Sequence, residues 1–247
     1  MNNFLVYRNK IRSGVRPVIG HPINIDHFLT QGLVGHWTFN EGAGSYAYDY
    51  SGHNNTGTLT NGPIWTTLST NEKVLSFDGS NDYVNYGSTK IINENSNFTI
   101  ILWYYHVIGP NGTCSLFGNT VAASGLRWAF AINLSNNVIA GRIGNGTTIE
   151  DTSTYSISTG NWYYIYLIWN KPYLSLYINN NLMQSKEITL SGNVPGYYTA
   201  FKNISGAGYE GGSYFANGYL DDIRIYNRAL SAGEIQYLYT KTQGRYK

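Results

Sequence analysis

One cysteine in 247 residues excludes an intramolecular disulfide, so stability must come from packing. A lone Cys114 suits a reducing compartment, or an extracellular particle assembled in the cytosol. Charge is scarce too: Asp, Glu, Lys and Arg make up 12% of the chain, about half the usual share. The net charge of +2 is too small for nucleic-acid binding by the whole chain. No apolar run approaches the length of a membrane span, and Met1–Tyr7 leads into basic residues rather than an apolar core, so no secretion signal is read.

Motif absences narrow the chemistry further. The histidines (His21, His27, His36, His53, His106) lack H-x-x-x-H spacing, and no G-x-S-x-G occurs. Gly206–Gly211 satisfies G-x-G-x-x-G formally, but it runs into Gly212-Ser213-Tyr214 and not into a helix, so it reads as a loop. Glu150 and Asp151 form the only adjacent mixed acid pair, and on a strand their side chains would diverge. Nothing resembles two carboxyls facing each other across a cleft.

What is abundant is aromatic and small polar. Aromatics reach 15%, with 23 tyrosines, amid Asn, Ser, Thr and Gly. That mixture suits short strands and tight turns and opposes disorder. Residues 98–105 and 162–169 are apolar or aromatic on both alternating rows, which predicts central strands covered on both faces. Asn136-Asn137, Asn145-Gly146 and Asn179-Asn180-Asn181 predict turns, because Asn tolerates positive φ. A single helix is predicted after Ser231, where Ser231-Ala232-Gly233-Glu234 forms a capping box ahead of Ile235, Leu238 and Tyr239. The last residues, 241–247, read as a polar, exposed tail. Residues 1–32 stand apart, with Arg8, Lys10, Arg12 and Arg16 preceding the first acid, and Pro17 and Pro22 interrupting regular structure. They read either as a loosely draped extension or as an arm that anchors on a scaffold.

The most informative stretch is Gly218–Ser231. Read as a strand, it places Asp221 with Ile223 and Ile225 on a core-facing row, and Asp222 with Arg224 and Tyr226 on the outer row. A carboxylate on the core side needs a cation or several hydrogen bonds, whereas Asp222–Arg224 reads as a surface pair of small value.

This stretch resembles the closing strand of laminin-G-like, concanavalin-A-like jelly-roll domains. Gly32–Gly42, Asp49–Leu59, Leu75–Val84 and the pair Asn161–Leu167 with Leu176–Asn179 resemble that family's other signature segments, in the family's order. The resemblance implies an all-β, two-sheet antiparallel jelly-roll sandwich over residues 33–240, preceded by the arm and closed by one short helix and the 241–247 tail. It also implies calcium near Asp78, Gly79, Asn81 and Asp82, with Asp221 as a further carboxylate from the closing strand; the plainer alternative is an Asx-turn with Asp221 taking backbone hydrogen bonds. Glycan binding is implied as well, with Trp128, Tyr209 and Tyr214 on Gly-rich loops as stacking candidates. Glucanases of this architecture carry an E-x-D-x-E run, which is missing, so the expectation is a protein without catalysis. Low charge, the arm and the resemblance together suit a virion component of phage decoration or fibre type. Such a component would be displayed on the particle surface, anchored to a capsid scaffold through Arg8, Lys10, Arg12 and Arg16, as a monomer or a homo-oligomer; the alternative is an extracellular glycan-binding module.

Overall fold

The computed structural model describes residues 28–87, 91–93, 96–110, 112–121, 128–144, 148–190, 201–205 and 214–246. A 3-10 turn at Phe28–Thr30 precedes β1 (Leu33–Trp37), β2 (Tyr46–Ala47), β3 (Gly57–Thr60) and β4 (Ile64–Thr67). There follow β5 (Lys73–Asp78), β6 (Tyr83–Asn85), β7 (Phe98–Ile108), β8 (Thr113–Val121) and β9 (Trp128–Ser135). β10 (Val138–Gly144), β11 (Ile149–Asp151), β12 (Tyr155–Ser156) and β13 (Asn161–Asn170) come next. The last strands are β14 (Tyr173–Ile178), β15 (Asn181–Glu187), β16 (Phe201–Ser205) and β17 (Asn217–Tyr226). Helix α1 (Ala232–Thr242) and a 3-10 turn at Gln243–Arg245 close the chain.

The strands form two antiparallel sheets, as expected for the sandwich. One runs β15-β14-β13-β7-β17-β5-β4, with β1 also on β17; the other runs β11-β10-β9-β8-β16-β6-β3-β2, with β12 on β10. Their facing rows make one apolar core that includes Trp37, Phe77, Phe98, Phe117, Phe130, Ile165 and Ile225. Cys114 lies fully buried within it, and burial pushes its thiol up to about 12.

The outer face of the first sheet is covered as well. Trp103 on β7, Tyr164 and Tyr166 on β13 and Tyr226 on β17 pack beneath Ile235, Leu238 and Tyr246, which explains why β7 and β13 are apolar on both rows. Six of the 23 tyrosines belong to this second layer. Ser231 caps α1 through the expected reciprocal box with Glu234, whose carboxyl is held at about 2 chiefly by its bond from Arg228. At Asn179 and Asn180, φ values of 50° and 68° make the two-residue β14–β15 turn, and Asn136 (φ 51°) turns β9 into β10. Residues 145–147 lie outside the described residues.

Two expectations fail here. The C-terminal tail is not exposed: Tyr246 is buried, stacks on Trp103 with ring centroids 4.2 Å apart, and donates its hydroxyl to Asp221 Oδ2 at 2.6 Å. The period-two reading of β17 also breaks at Asp221–Asp222. The first half of β17 lies along β5 (Asn217 opposite Asp78, Leu220 opposite Leu75), and its second half lies along β1 (Ile223 opposite Trp37). At the hand-over Asp222 takes φ 46°, and the register with β7 shifts between Asp221 and Arg224. An inserted residue of this kind reverses the sense of alternation. Leu220, Ile223 and Ile225 thus face the core, while Asp221, opposite Trp103, faces the outer layer.

The supposed surface pair is buried. Asp222 accepts from Arg224 (Nε 2.9 Å), His36 Nε2 (3.0 Å) and Arg245 Nη1 (3.4 Å), with only 2% of its surface exposed. Burial works against its charge, but the three cationic or proton-donating neighbours outweigh it and hold the carboxyl well below its usual range.

Candidate functional site

Several turns lie at the end of the sandwich where Asp78 of β5 and Ile108 of β7 flank Asn217 of β17. Asp78 closes β5 and folds back as an Asx-turn: its Oδ1 accepts from Ser80 N at 2.7 Å, and Gly79 follows with φ 81°. Asp82 Oδ2 accepts from Asp78 N at 3.1 Å, closing the loop on itself. Asn217 donates its side-chain amide to Asp78 O, and Asn61 donates to Asn81 O. Asp82 is 3% exposed, and burial raises its pKa. Its Oδ1 faces Gly62, where a Cβ would meet it at an ordinary contact distance of 3.7 Å.

A polar strut supports the loop from behind. Tyr104 donates to Asn217 O at 3.0 Å and lies 3.2 Å from His106 Nδ1, whose other ring nitrogen sits 2.9 Å from Asn137 Oδ1. Burial lowers the pKa of His106. The strut ties the β9–β10 turn of the second sheet to β7 and β17 of the first. Beside the loop, Tyr83 packs against Phe215. Tyr214, 43% exposed, lies against Gly112, where a Cβ would fall 2.5 Å from the tyrosine ring. A glycine there is what lets the ring settle against the backbone.

Of the residues singled out from sequence, Asp78, Gly79, Asn81, Asp82 and Tyr214 come together at this end. Asp221 does not. It stands four residues beyond Asn217, roughly 13 Å along the strand, and its carboxylate is engaged by Tyr246 on the outer face. Trp128 opens β9, but its side chain lies outside the described residues, as do Tyr209 and the arm cations Arg8, Lys10, Arg12 and Arg16. Among the described residues, no group of three or more His, Cys, Asp or Glu side chains converges as metal ligands would. Asp78 and Asp82 each give one oxygen to a loop N–H group, and Asp221 is not among the donors at this loop. Sequence reading missed Asn61, Tyr83, Asn217 and Phe215. Asn217 was legible in principle, since Asn before Gly at a strand start marks a chain that turns sharply and needs a side-chain amide to hold it.

Comparison with known proteins supplies the family. Residues 78–236 match the family model described as the concanavalin A-like lectin/glucanases superfamily. The chain belongs to that superfamily. No curated protein matches its sequence. Among solved structures, this superfamily member is similar to Trypanosoma rangeli sialidase in complex with sialic acid (TM-score 0.67, 17% identity, 87% of this chain and 34% of that one). It is also similar to the binding domain of Paraclostridial Mosquitocidal Protein 1 (TM-score 0.65, 20% identity, 85% and 52%). A third is the binding domain of Botulinum neurotoxin serotype D (TM-score 0.62, 16% identity, 85% and 51%). At these identities the likeness is one of fold, and the chain spans about a third of the sialidase and about half of each toxin domain chain.

The sialidases correct the expectation of a protein without catalysis. That expectation rested on the missing acid triplet of glucanases, whereas the fold of this superfamily member extends over part of enzymes of another class. The absence of one enzyme's motif does not separate the chain from enzymes.

Proposed function

We propose that this jelly roll binds saccharides at the end of the sandwich, where Asp82 and Tyr214 meet a ligand. One observation carries the reading: Asp82, nearly buried and fixed by Asp78 N, turns its second oxygen toward Gly62, and the next residue, Tyr83, packs its ring on Phe215. A positioned acceptor beside rings is the combination that fixes hydroxyls and sugar C–H faces together. Similarity to toxin binding domains and to a sialidase solved with sialic acid supports a binding role. A screen of immobilised glycans should find ligands for the native protein, and Asp82→Asn and Tyr214→Ala should each weaken the best one at least tenfold with unchanged circular dichroism. Silence across the screen, or two variants indistinguishable from native, would discard the site.

The finer reading is a component displayed on a virion surface, with residues 1–32 engaging a capsid scaffold. Its support is the low overall charge and the four arm cations at positions 8, 10, 12 and 16. Removing residues 1–27 should abolish incorporation into the parent particle and leave glycan binding intact; undiminished incorporation would end that idea.

A further inference from the structure

We propose that the saccharide track continues from the sandwich end across the outer face of the second sheet to Tyr46 and Tyr48, so that the ligand is an extended, uncharged oligosaccharide. This rests on the saccharide-binding reading above.

The strand register defines the face. Ala47, Leu59, Val84 and Tyr86 pack on the core, so the alternating residues Tyr46, Thr58, Thr60, Tyr83 and Asn85 point outward. Thr58 lies opposite Tyr46 on one side and Asn85 on the other, making a row of ring, hydroxyl and carboxamide; Thr60 lies opposite Tyr83 in the next row. These side chains carry no formal charge. They offer hydroxyl and amide groups between aromatic rings, the chemistry that reads neutral sugars and gives an acidic or basic ligand nothing to pair with.

Tyr46 and Tyr48 are 51% and 47% exposed, with ring centroids 6.5 Å apart and planes tilted by 37°. Neither belongs to a core cluster, yet the backbone that carries them is held firmly. Glu41 Oε1 accepts from Tyr48 N at 2.8 Å, Ser45 O accepts from Leu59 N at 2.9 Å, and Trp65 donates to Gly44 O at 2.9 Å. The two rings thus stand side by side in water on a backbone that is held in place.

Continuity decides the occupant. Tyr83 is the residue after Asp82 and touches Phe215, so the outward row begins at the proposed site. With strands about 4.8 Å apart and a rise of about 3.4 Å per residue, the Cα atoms of Tyr83 and Tyr46 are roughly 12 Å apart. That exceeds one sugar ring and matches a short chain of them.

Titration calorimetry with neutral linear homo-oligosaccharides of one to six units, drawn from the linkages retained in the glycan screen, tests this. Affinity should rise with length and then level off. The double variant Tyr46→Ala/Tyr48→Ala should lose roughly tenfold for the long ligands and little for the monosaccharide, whereas Asp82→Asn should weaken both. Length-independent affinity, or a double variant that binds long chains like the native protein while Asp82→Asn does not, overturns the extended track and leaves the sandwich-end site standing. Binding of no saccharide at all overturns both. Sedimentation shows whether the rings seat a second copy: self-association abolished by the double variant would assign Tyr46 and Tyr48 to that contact and overturn the proposal.

Discussion

Asp222 shows how one carboxylate can organise three chain segments. It links His36 of β1, which is buried, to Arg224 of its own strand and Arg245 of the C-terminal turn, which are partly buried. Asp222→Asn would leave Arg224 and Arg245 without their counter-charge, and urea denaturation should show a loss of about 3–5 kcal/mol. The histidines add a pH dependence. Burial lowers His36 and His106 below the ordinary 6.5, so below that pH the unfolded chain binds protons that the folded chain refuses. Their contribution is complete above pH 6.5 and drains away as pH falls through the lowered folded values. Urea midpoints should therefore decline from pH 7.5 to pH 5, and a flat profile would contradict the neutral, buried imidazoles.

At the scale of elements, the C-terminal segment acts as a cover for the outer aromatic layer. Trp103 donates to Thr242 Oγ1 at 3.0 Å, Thr70 donates to Arg245 O at 2.9 Å, and Tyr246 contacts both Trp103 and Trp162. Tyr246→Ala removes a buried ring and should cost about 3 kcal/mol, with tryptophan fluorescence shifting to the red; an unshifted spectrum would mean that the cover holds without it. The central strands β7 and β13 were legible because both of their rows are apolar, and α1 because Ser231 and Glu234 are spaced for reciprocal bonding. The buried tail was not: Arg245 and Tyr246 look polar in sequence, and only the position of Asp221 and Asp222 beneath them makes their burial favourable. The bulge was hidden for a related reason. Strict alternation is the default for a strand, and nothing local in Leu220–Arg224 announces that β17 must pass from β5 to β1 midway. The misplacement of Asp221 in a calcium set followed directly from that missed half-turn.

Across the whole molecule, the two sheets are also joined at their rims, where Lys186 on β15 meets Glu150 on β11 at 3.1 Å and Glu150 accepts from Thr189. Packing and these side-chain links hold the sheets together, and the loop at Asp78–Asp82 is closed by bonds from its own N–H groups to its carboxylates. Excess chelator should leave the melting temperature unchanged; a fall of several degrees would show that the loop takes calcium after all. The burial of Cys114 has one more consequence. With its sulfur sealed between the sheets and reluctant to ionise, a thiol reagent in solution reacts only with molecules whose sandwich has parted. The chain thus carries its own clock for opening, read as the rate of alkylation, with no label to install and no second thiol to confuse the count.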